Sequence, residues 1–209
     1  MKIVVIDDDP TGSQTVHNCL LLLKWDYLTL LKAFKSSSSL IFILANTRSL
    51  SQGDLEKRLK SICEAINFVI DSNNLNKDEF IFVSRGDSTL RGHNFIEPNI
   101  INKLLGPFDA TFHIPAFIEG GRLTRNGKHY VNGIPAHETI YAKDKIFGFS
   151  TNDLKELLIQ KSNFKLSKDD IQNLRSSDLS SLEIQENKNL FQKLQALNSN
   201  KQVIVDIEN

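Results

Sequence analysis

Short continuous apolar runs, each ending in charged or glycine-bearing segments, constrain this chain more than any other feature. Ile3-Val4-Val5-Ile6, Leu40-Ile41-Phe42-Ile43-Leu44, Phe80-Ile81-Phe82-Val83, Thr111-Phe112-His113-Ile114 and Val203-Ile204-Val205 do not alternate apolar with polar residues. Runs of this kind suit strands covered on both faces, as in parallel sheets. Cys19 to Leu23 fits either a strand or a helix. Between the runs, Leu55, Leu59, Ile62, Cys63, Ile66 and Ile70 recur at helical spacing behind Ser51 and Asp54, a capping-box-like start. Tyr27, Leu28, Leu31 and Phe34 give a shorter helical face, and Ile96, Ile100, Ile101, Leu104 and Leu105 another, kinked or restarted at Pro98. Ser36 to Ser39 reads as a polar linker.

This alternation predicts an α/β fold, a mostly parallel sheet with helices on both faces in a Rossmann-like three-layer arrangement. Residues 1–209 read as one domain. Gly120 to His137 breaks the pattern, because Asn126-Gly127 and Asn132-Gly133 are tight-turn pairs that tolerate positive φ. A small β-meander at about 120–137 is expected there. Beyond Thr151 the chain turns Lys/Asn/Ser/Leu-rich and reads as helical, without evident chemistry.

Composition removes several function classes. Twenty-five Lys and Arg balance 25 Asp and Glu, which lacks the basic excess of a nucleic-acid binder. The apolar amino terminus meets Asp7 before a signal-peptide core can form, and Leu20 to Leu23 is too short to span a bilayer. Cys19 and Cys63 offer neither a disulfide framework nor zinc-ligand spacing and read as small buried hydrophobes. A cytoplasmic protein with reduced thiols, no nucleic-acid or membrane partner and no bound metal is expected. Oligomerisation stays open.

The polar residues concentrate where strands end. Asp7-Asp8-Asp9-Pro10-Thr11-Gly12 follows the first run, Asn46-Thr47-Arg48-Ser49 the second, Ser84-Arg85-Gly86-Asp87-Ser88-Thr89-Leu90-Arg91-Gly92-His93 the third, and Pro115 to Arg122 the fourth. In one parallel sheet these segments would emerge at a single edge, where ligands bind. Each piece also has a plain structural use: Asx turns, a helix cap, or solvated arginines. Together, arginines and a helix start make an anion site, and aspartates beside it bind hydroxyls or take a proton. A small polyhydroxylated acid fits both halves. His113 reads as a hydrogen-bonded core residue, and His17, His93, His129 and His137 as loop or hairpin residues without metal-ligand spacing.

Asp8-Asp9-Pro10-Thr11-Gly12, Asp87-Ser88-Thr89-Leu90-Arg91-Gly92, Pro115-Ala116-Phe117 through Gly121-Arg122, and Asn126 to Val131 resemble the amino-terminal domain of the four-carbon acid sugar kinase family. The likeness spans residues 1 to about 160. It implies phosphorylation of threonate, erythronate or an oxo derivative with ATP and magnesium. It also implies that this domain holds the acid, while a carboxyl-terminal nucleotide-binding domain, absent from the chain and expected as a separate domain or subunit, holds most of the ATP. ATP and magnesium are thus expected for the full enzyme and not firmly on this chain, which would bind the acid without phosphorylating it unaided. The resemblance implies that Asp8, Asp9, Asp87, Ser88, Arg91 and Arg122 line the pocket, and Thr11, Arg48, Arg85 and Gly92 are further candidate binding residues. On this resemblance Asp87 is expected to orient or deprotonate the acceptor hydroxyl, with Asp8 second in that role, and Arg91 and Arg122 are expected to clamp the carboxylate. Two elements depart from the family pattern: Ser84-Arg85-Gly86 stands where lysines are usual, and Asn46-Thr47-Arg48 lacks an acid near its arginine.

Two rival readings use the same residues. Asp7-x-Asp9-x-Thr11 after an apolar strand matches the nucleophile pattern of haloacid-dehalogenase-like, magnesium-dependent phosphatases. The other rival is a non-catalytic module that keeps the sugar-acid pocket.

Overall fold

The strand β1 (Lys2–Asp7) is apolar on both faces and accordingly lies inside a sheet rather than at its edge. In the computed structural model, which describes residues 1–179 and 187–208, the chain divides into two compact units, 1–86 with 97–106 and 87–96 with 107–208. The sequence reading takes 1–209 as one domain. Residues 180–186 and 209, part of the stretch read as helical after Thr151, lie outside the described residues.

The first unit holds β1, β2 (Leu20–Leu22), α1 (Tyr27–Lys35), β3 (Leu40–Leu44), α2 (Gln52–Ser72), β4 (Phe80–Arg85) and most of α3 (Ile96–Leu105). Its four strands are all parallel in the order β2-β3-β1-β4, so Cys19–Leu23 resolves as a short strand. Val4, Ile6, Ile41 and Ile43 form one fully buried row of the sheet. The stripes of α1 and α2 are fully buried at Leu30, Leu55, Leu59, Ile62 and Ile66, and Phe34 of α1 meets Phe80 at 5.0 Å between ring centroids. Each such side chain contributes roughly 1.5–3 kcal/mol on leaving water. Asp26 caps α1 by accepting the Thr29 N–H, and Ser51 caps α2 by accepting that of Asp54. The helix α3 runs without a break: Pro98 sits in its first turn, where the missing N–H has no intrahelical partner to lose.

The second unit contains β5 (Ala110–His113), the antiparallel meander β6 (Arg122–Arg125), β7 (Lys128–Val131) and β8 (Ile134–Pro135), then α4 (Leu154–Lys161), β9 (Ile171–Leu174), α5 (Ser176–Leu179), α6 (Asn187–Gln195) and β10 (Lys201–Val205). The meander lies where the Asn-Gly turns put it. β5, β10 and β9 form a separate parallel sheet with β10 in the middle. Two corrections follow. β5 pairs with β10 and not with a strand of the first sheet, so the four polar strand ends do not share one sheet edge. Within the stretch read as helical, Ile171–Leu174 is a strand, because Ile171 and Leu174 bury beside β10. Leu90, Val131, Leu154, Leu157, Leu158, Ile171 and Ile204 make the main core of this unit.

Asp206, 2% exposed, fastens the meander. Its carboxylate accepts the N–H groups of Asn126 and Gly127 at 2.8 and 2.9 Å, and Thr124 and Ile207 exchange backbone bonds of 2.9 Å beside it.

Candidate functional site

Because β1 lies between β3 and β4, the polar residues beyond it meet the segments beyond both neighbours. Ala45 and Asn46 donate backbone N–H groups to the Asp7 carbonyl, Arg48 donates to that of Asp8, and Asp8 donates to that of Arg85. The side chains continue this stitching. Arg48 Nε and Nη2 donate to the two oxygens of Asp8 at 2.9 and 2.8 Å, and Nη1 donates to Asp9 Oδ2 at 2.8 Å. Arg85 Nη1 stands 3.4 Å from Asp8 Oδ1 and 3.5 Å from Asp7 Oδ1. Thr11 donates both its N–H and its hydroxyl to Asp9 Oδ1. Partial burial works against ionisation of Asp9, but the Thr11 hydrogen bonds and the charges of Arg48 and Arg85 hold its carboxyl below the usual range. Asp8 and Asp9 are thus oriented acceptors suited to hydroxyl groups.

Asp7 is different. It is fully buried, and among the described residues no donor meets either oxygen with full hydrogen-bond geometry, Arg85 Nη1 at 3.5 Å being its ion-pair neighbour. Burial pushes its carboxyl up to about 6, opposed by the Arg85 charge and the Asp9 backbone N–H and reinforced by the Asp8 and Asp9 charges. A Cβ on Gly12 would collide with that carboxylate, so only glycine closes over it. A phosphatase nucleophile must reach substrate, and a walled-in Asp7 does not suit that role.

In the second unit, Asp87 begins a loop wrapped round its own carboxylate. Thr89 donates its N–H at 3.0 Å and its hydroxyl at 2.6 Å, and Arg91 Nε donates at 2.6 Å. Burial opposes ionisation, but these bonds and the Arg91 charge hold the carboxyl of Asp87 below the usual range. Leu90 makes the loop possible by taking φ 69°, a left-handed conformation that costs a side-chain-bearing residue roughly 1–2 kcal/mol. Its 3% exposure shows what offsets the strain, the burial of leucine in the core. Gly92 follows at φ 101°. The loop is tied to the meander by His129, fully buried, whose Nε2 donates to the Ser88 carbonyl at 2.7 Å while Nδ1 accepts from the Thr124 hydroxyl at 3.0 Å. Burial lowers the pKa of His129, which fits this neutral tautomer.

Arg122, the first residue of β6, lies over Phe117 at 5.5 Å and over Tyr141 at 6.0 Å, and Arg91 lies over the same tyrosine at 5.1 Å. Arg122 Nη2 is 3.4 Å from the Tyr141 hydroxyl. Its Nε is buried without a partner, and no ion pair to Arg122 exists among the described residues. A Cβ on Gly120 would occupy the place of the guanidinium. Of the two guanidiniums against this ring, Arg91 is met by Asp87 and by the nearby Asp144 charge, whereas Arg122 has no ion pair among the described residues and is the positive charge suited to an anion.

Of the residues singled out in the sequence, the first unit gathers Asp8, Asp9, Thr11, Arg48 and Arg85, and the second gathers Asp87, Ser88, Arg91, Gly92 and Arg122. His113 is hydrogen-bonded to Gln202 at 2.8 Å, Cys63 is buried with its thiol pushed up to about 12 by desolvation, and Cys19 is half-buried. Two contributors carry no sequence signal. Tyr141 belongs to a 3-10 turn, Ile140–Lys143, without periodicity. Glu97 lies 2% exposed in the first turn of α3, its carboxyl accepting from the Thr47 hydroxyl at 2.6 Å and the Ser84 hydroxyl at 3.2 Å. Burial, aided by the Asp8 charge, pushes that carboxyl up to about 7 against the pull of Thr47, Ser84 and Arg48. Among the described residues no group of three or more His, Cys, Asp or Glu side chains is arranged to hold a metal ion, and no helix is long and apolar enough to cross a membrane.

Residues 3–209 match the family model described as a sugar-binding N-terminal domain. A D-erythronate kinase from Heliobacterium modesticaldum is 26% identical over 149 residues, which is 68% of this chain and 32% of that protein. Among solved structures, a Haemophilus influenzae protein matches 99% of this chain and 48% of its own at TM-score 0.71 and 17% identity. A Bordetella bronchiseptica protein with bound citrate, a domain-swapped dimer, matches 100% of this chain and 48% of its own at TM-score 0.70 and 21% identity. At such identities the structures establish the fold alone. This chain spans under half the length of each of these three proteins.

Proposed function

Since the chain belongs to the family of sugar-binding N-terminal domains, that of the four-carbon acid sugar kinases, we propose that it binds a four-carbon sugar acid of the threonate or erythronate type as the substrate-holding part of an ATP-dependent kinase. The observation that carries this reading is Arg122, a guanidinium seated on Phe117 and Tyr141 with no acid partner of its own among the described residues. A carboxylate presents two oxygens that match that planar fork, as a phosphate also does. The D-erythronate kinase relative and the citrate bound by a fold neighbour support an acid-bearing ligand.

In this reading Arg122 and Arg91 hold the carboxylate, and Tyr141 supplies the platform on which both lie. Asp87 is ionised and already receives three hydrogen bonds, which makes it a weak base and a good acceptor. It therefore orients the acceptor hydroxyl rather than drawing its proton off early. Orientation is what phosphoryl transfer asks for, because the transition state is loose and covalent help is small. In the first unit, described by itself, Asp8 and Asp9 are oriented acceptors held by Arg48 and Arg85. ATP and magnesium supply the phosphoryl group and neutralise its charge. Among the described residues no group of three or more His, Cys, Asp or Glu side chains is placed to hold magnesium.

Calorimetry of the chain with threonate, erythronate and their oxo derivatives tests the proposal. Heat with one of these acids that disappears in Arg122→Ala supports it, and no heat with any of them sinks it. Adding a separately produced nucleotide-binding domain of the family together with ATP then separates a kinase portion from a module that binds without catalysis.

A further inference from the structure

Glu97 touches no surface from which a ligand could be reached, yet each of its two carboxyl oxygens is committed. Oε1 accepts from Thr47, itself fully buried, and Oε2 accepts from Ser84. Thr47 immediately precedes Arg48, and Ser84 immediately precedes Arg85. These arginines are the two cations of the Asp7–Asp9 cluster, and their backbones are bonded to Asp8 from both sides, the Arg48 N–H to the Asp8 carbonyl at 3.1 Å and the Asp8 N–H to the Arg85 carbonyl at 3.2 Å. We infer that Glu97 is a positioning residue for both arginines at once, one carboxyl fixing the segments after β3 and β4 so that Arg48 and Arg85 close on the same aspartates.

The chemistry of the carboxyl adds a condition. As a carboxylate Glu97 accepts from both hydroxyls. As an acid it turns one oxygen into a donor, and the hydroxyl facing that oxygen must rotate its hydrogen away. Asp8 and Arg48 are the charged groups that act on Glu97, and Asp7 and Arg85 border the same segment. Glutamine, with one acceptor and one donor, reproduces the acid form at every pH.

Hydrogen exchange of the free chain, followed by NMR, tests this. Thr47→Val should accelerate exchange of the Arg48 amide and its Nε–H by about tenfold, the loss of one hydrogen bond. Ser84→Ala should accelerate the Asp8 amide, and Glu97→Gln, compared at pH 8 where the unmodified carboxyl is ionised, should accelerate exchange in at least one of the two arginine segments. The Arg48 Nε–H shift should titrate near neutral pH in the unmodified chain and in Asp7→Asn, and stay flat in Glu97→Gln. Protection unchanged in Glu97→Gln overturns the inference. So does a loosening spread evenly over the unit in step with its unfolding free energy, the signature of a merely structural residue. Should Glu97→Gln fail to fold, the two hydroxyl variants decide, since each must loosen its own arginine segment and spare the other. Any effect of Glu97 on sugar-acid affinity rests on the proposed function above. The exchange measurements need no ligand, so failure of acid binding and failure of this inference are read separately.

Discussion

Arg48 holds Asp8 by two parallel contacts, Nε to Oδ2 at 2.9 Å and Nη2 to Oδ1 at 2.8 Å, and spends its remaining nitrogen on Asp9. The Asp8 side chain is 3% exposed and that of Arg48 23%, so the carboxylate depends on this partner far more than the arginine does. Removing one member of a buried pair costs about 3–5 kcal/mol, and the exposure of Arg48 reduces the expectation for Arg48→Ala to about 2 kcal/mol. Arg48→Lys should recover less than half, because an ammonium cannot make the fork. Urea unfolding checks both, and a loss below about 0.5 kcal/mol in Arg48→Ala would contradict the pairing.

Arg122→Ala should weaken sugar-acid binding by about 10- to 100-fold, the worth of a charged hydrogen bond to a carboxylate. Unfolding should change little, since Arg122 has no ion pair to lose among the described residues. Tyr141→Leu removes the platform and keeps the charge, so titration calorimetry should show a smaller loss than for Arg122→Ala. Equal binding by all three proteins would remove the anion site.

Asp7 carries a pH signature. Its carboxyl sits at about 6 in the fold and near 3.8 in the unfolded chain, so the folded state retains a proton that the unfolded state releases. Stability from this group is complete below pH 4 and declines as pH rises toward 6, by about 3 kcal/mol in all. Glu97 adds a decline of the same sign that ends near pH 7. Asp7→Asn should flatten the first of these slopes in thermal unfolding curves recorded from pH 4 to 7. A wild-type slope that persists in Asp7→Asn would assign the proton elsewhere.

Asp206→Ala should destabilise the second unit by about 2–3 kcal/mol, because the Asn126 and Gly127 amides lose a buried charged acceptor. Asp206→Asn keeps one acceptor oxygen and should lose less. Thermal unfolding measures the difference, and an unchanged midpoint for Asp206→Ala would show that water replaces the carboxylate at the turn.

Much of this architecture was legible from pattern alone. Ile3–Ile6 and Leu40–Leu44 read as buried strands because they are apolar on both faces, Ser51 and Asp54 marked a helix start, and two Asn-Gly pairs located the meander. Ile171–Leu174 escaped because Gln172 and Asn173 interrupt it, and its partner lies about thirty residues on in β10. Pro98 misled because the first turn of a helix tolerates what its interior does not. The strand ends showed where chemistry collects but not that two sheets carry them, since sheet membership depends on which strand finds which partner. Glu97 and Tyr141 stayed hidden for a plainer reason: a buried carboxyl and a tyrosine under two arginines look locally like any helix glutamate and any loop aromatic.

The placing of β10 between β5 and β9 has a consequence for birth on the ribosome. The first sheet draws both of its inner strands, β1 and β3, and its two edge strands from residues 2 to 85. The second sheet receives its innermost strand only at residues 201–205, so β5 and β9 must wait, unpaired with each other, through some ninety and thirty residues of translation. A nascent chain stalled near residue 195 would present one finished sheet and, beside it in the sequence, two strands still without a neighbour.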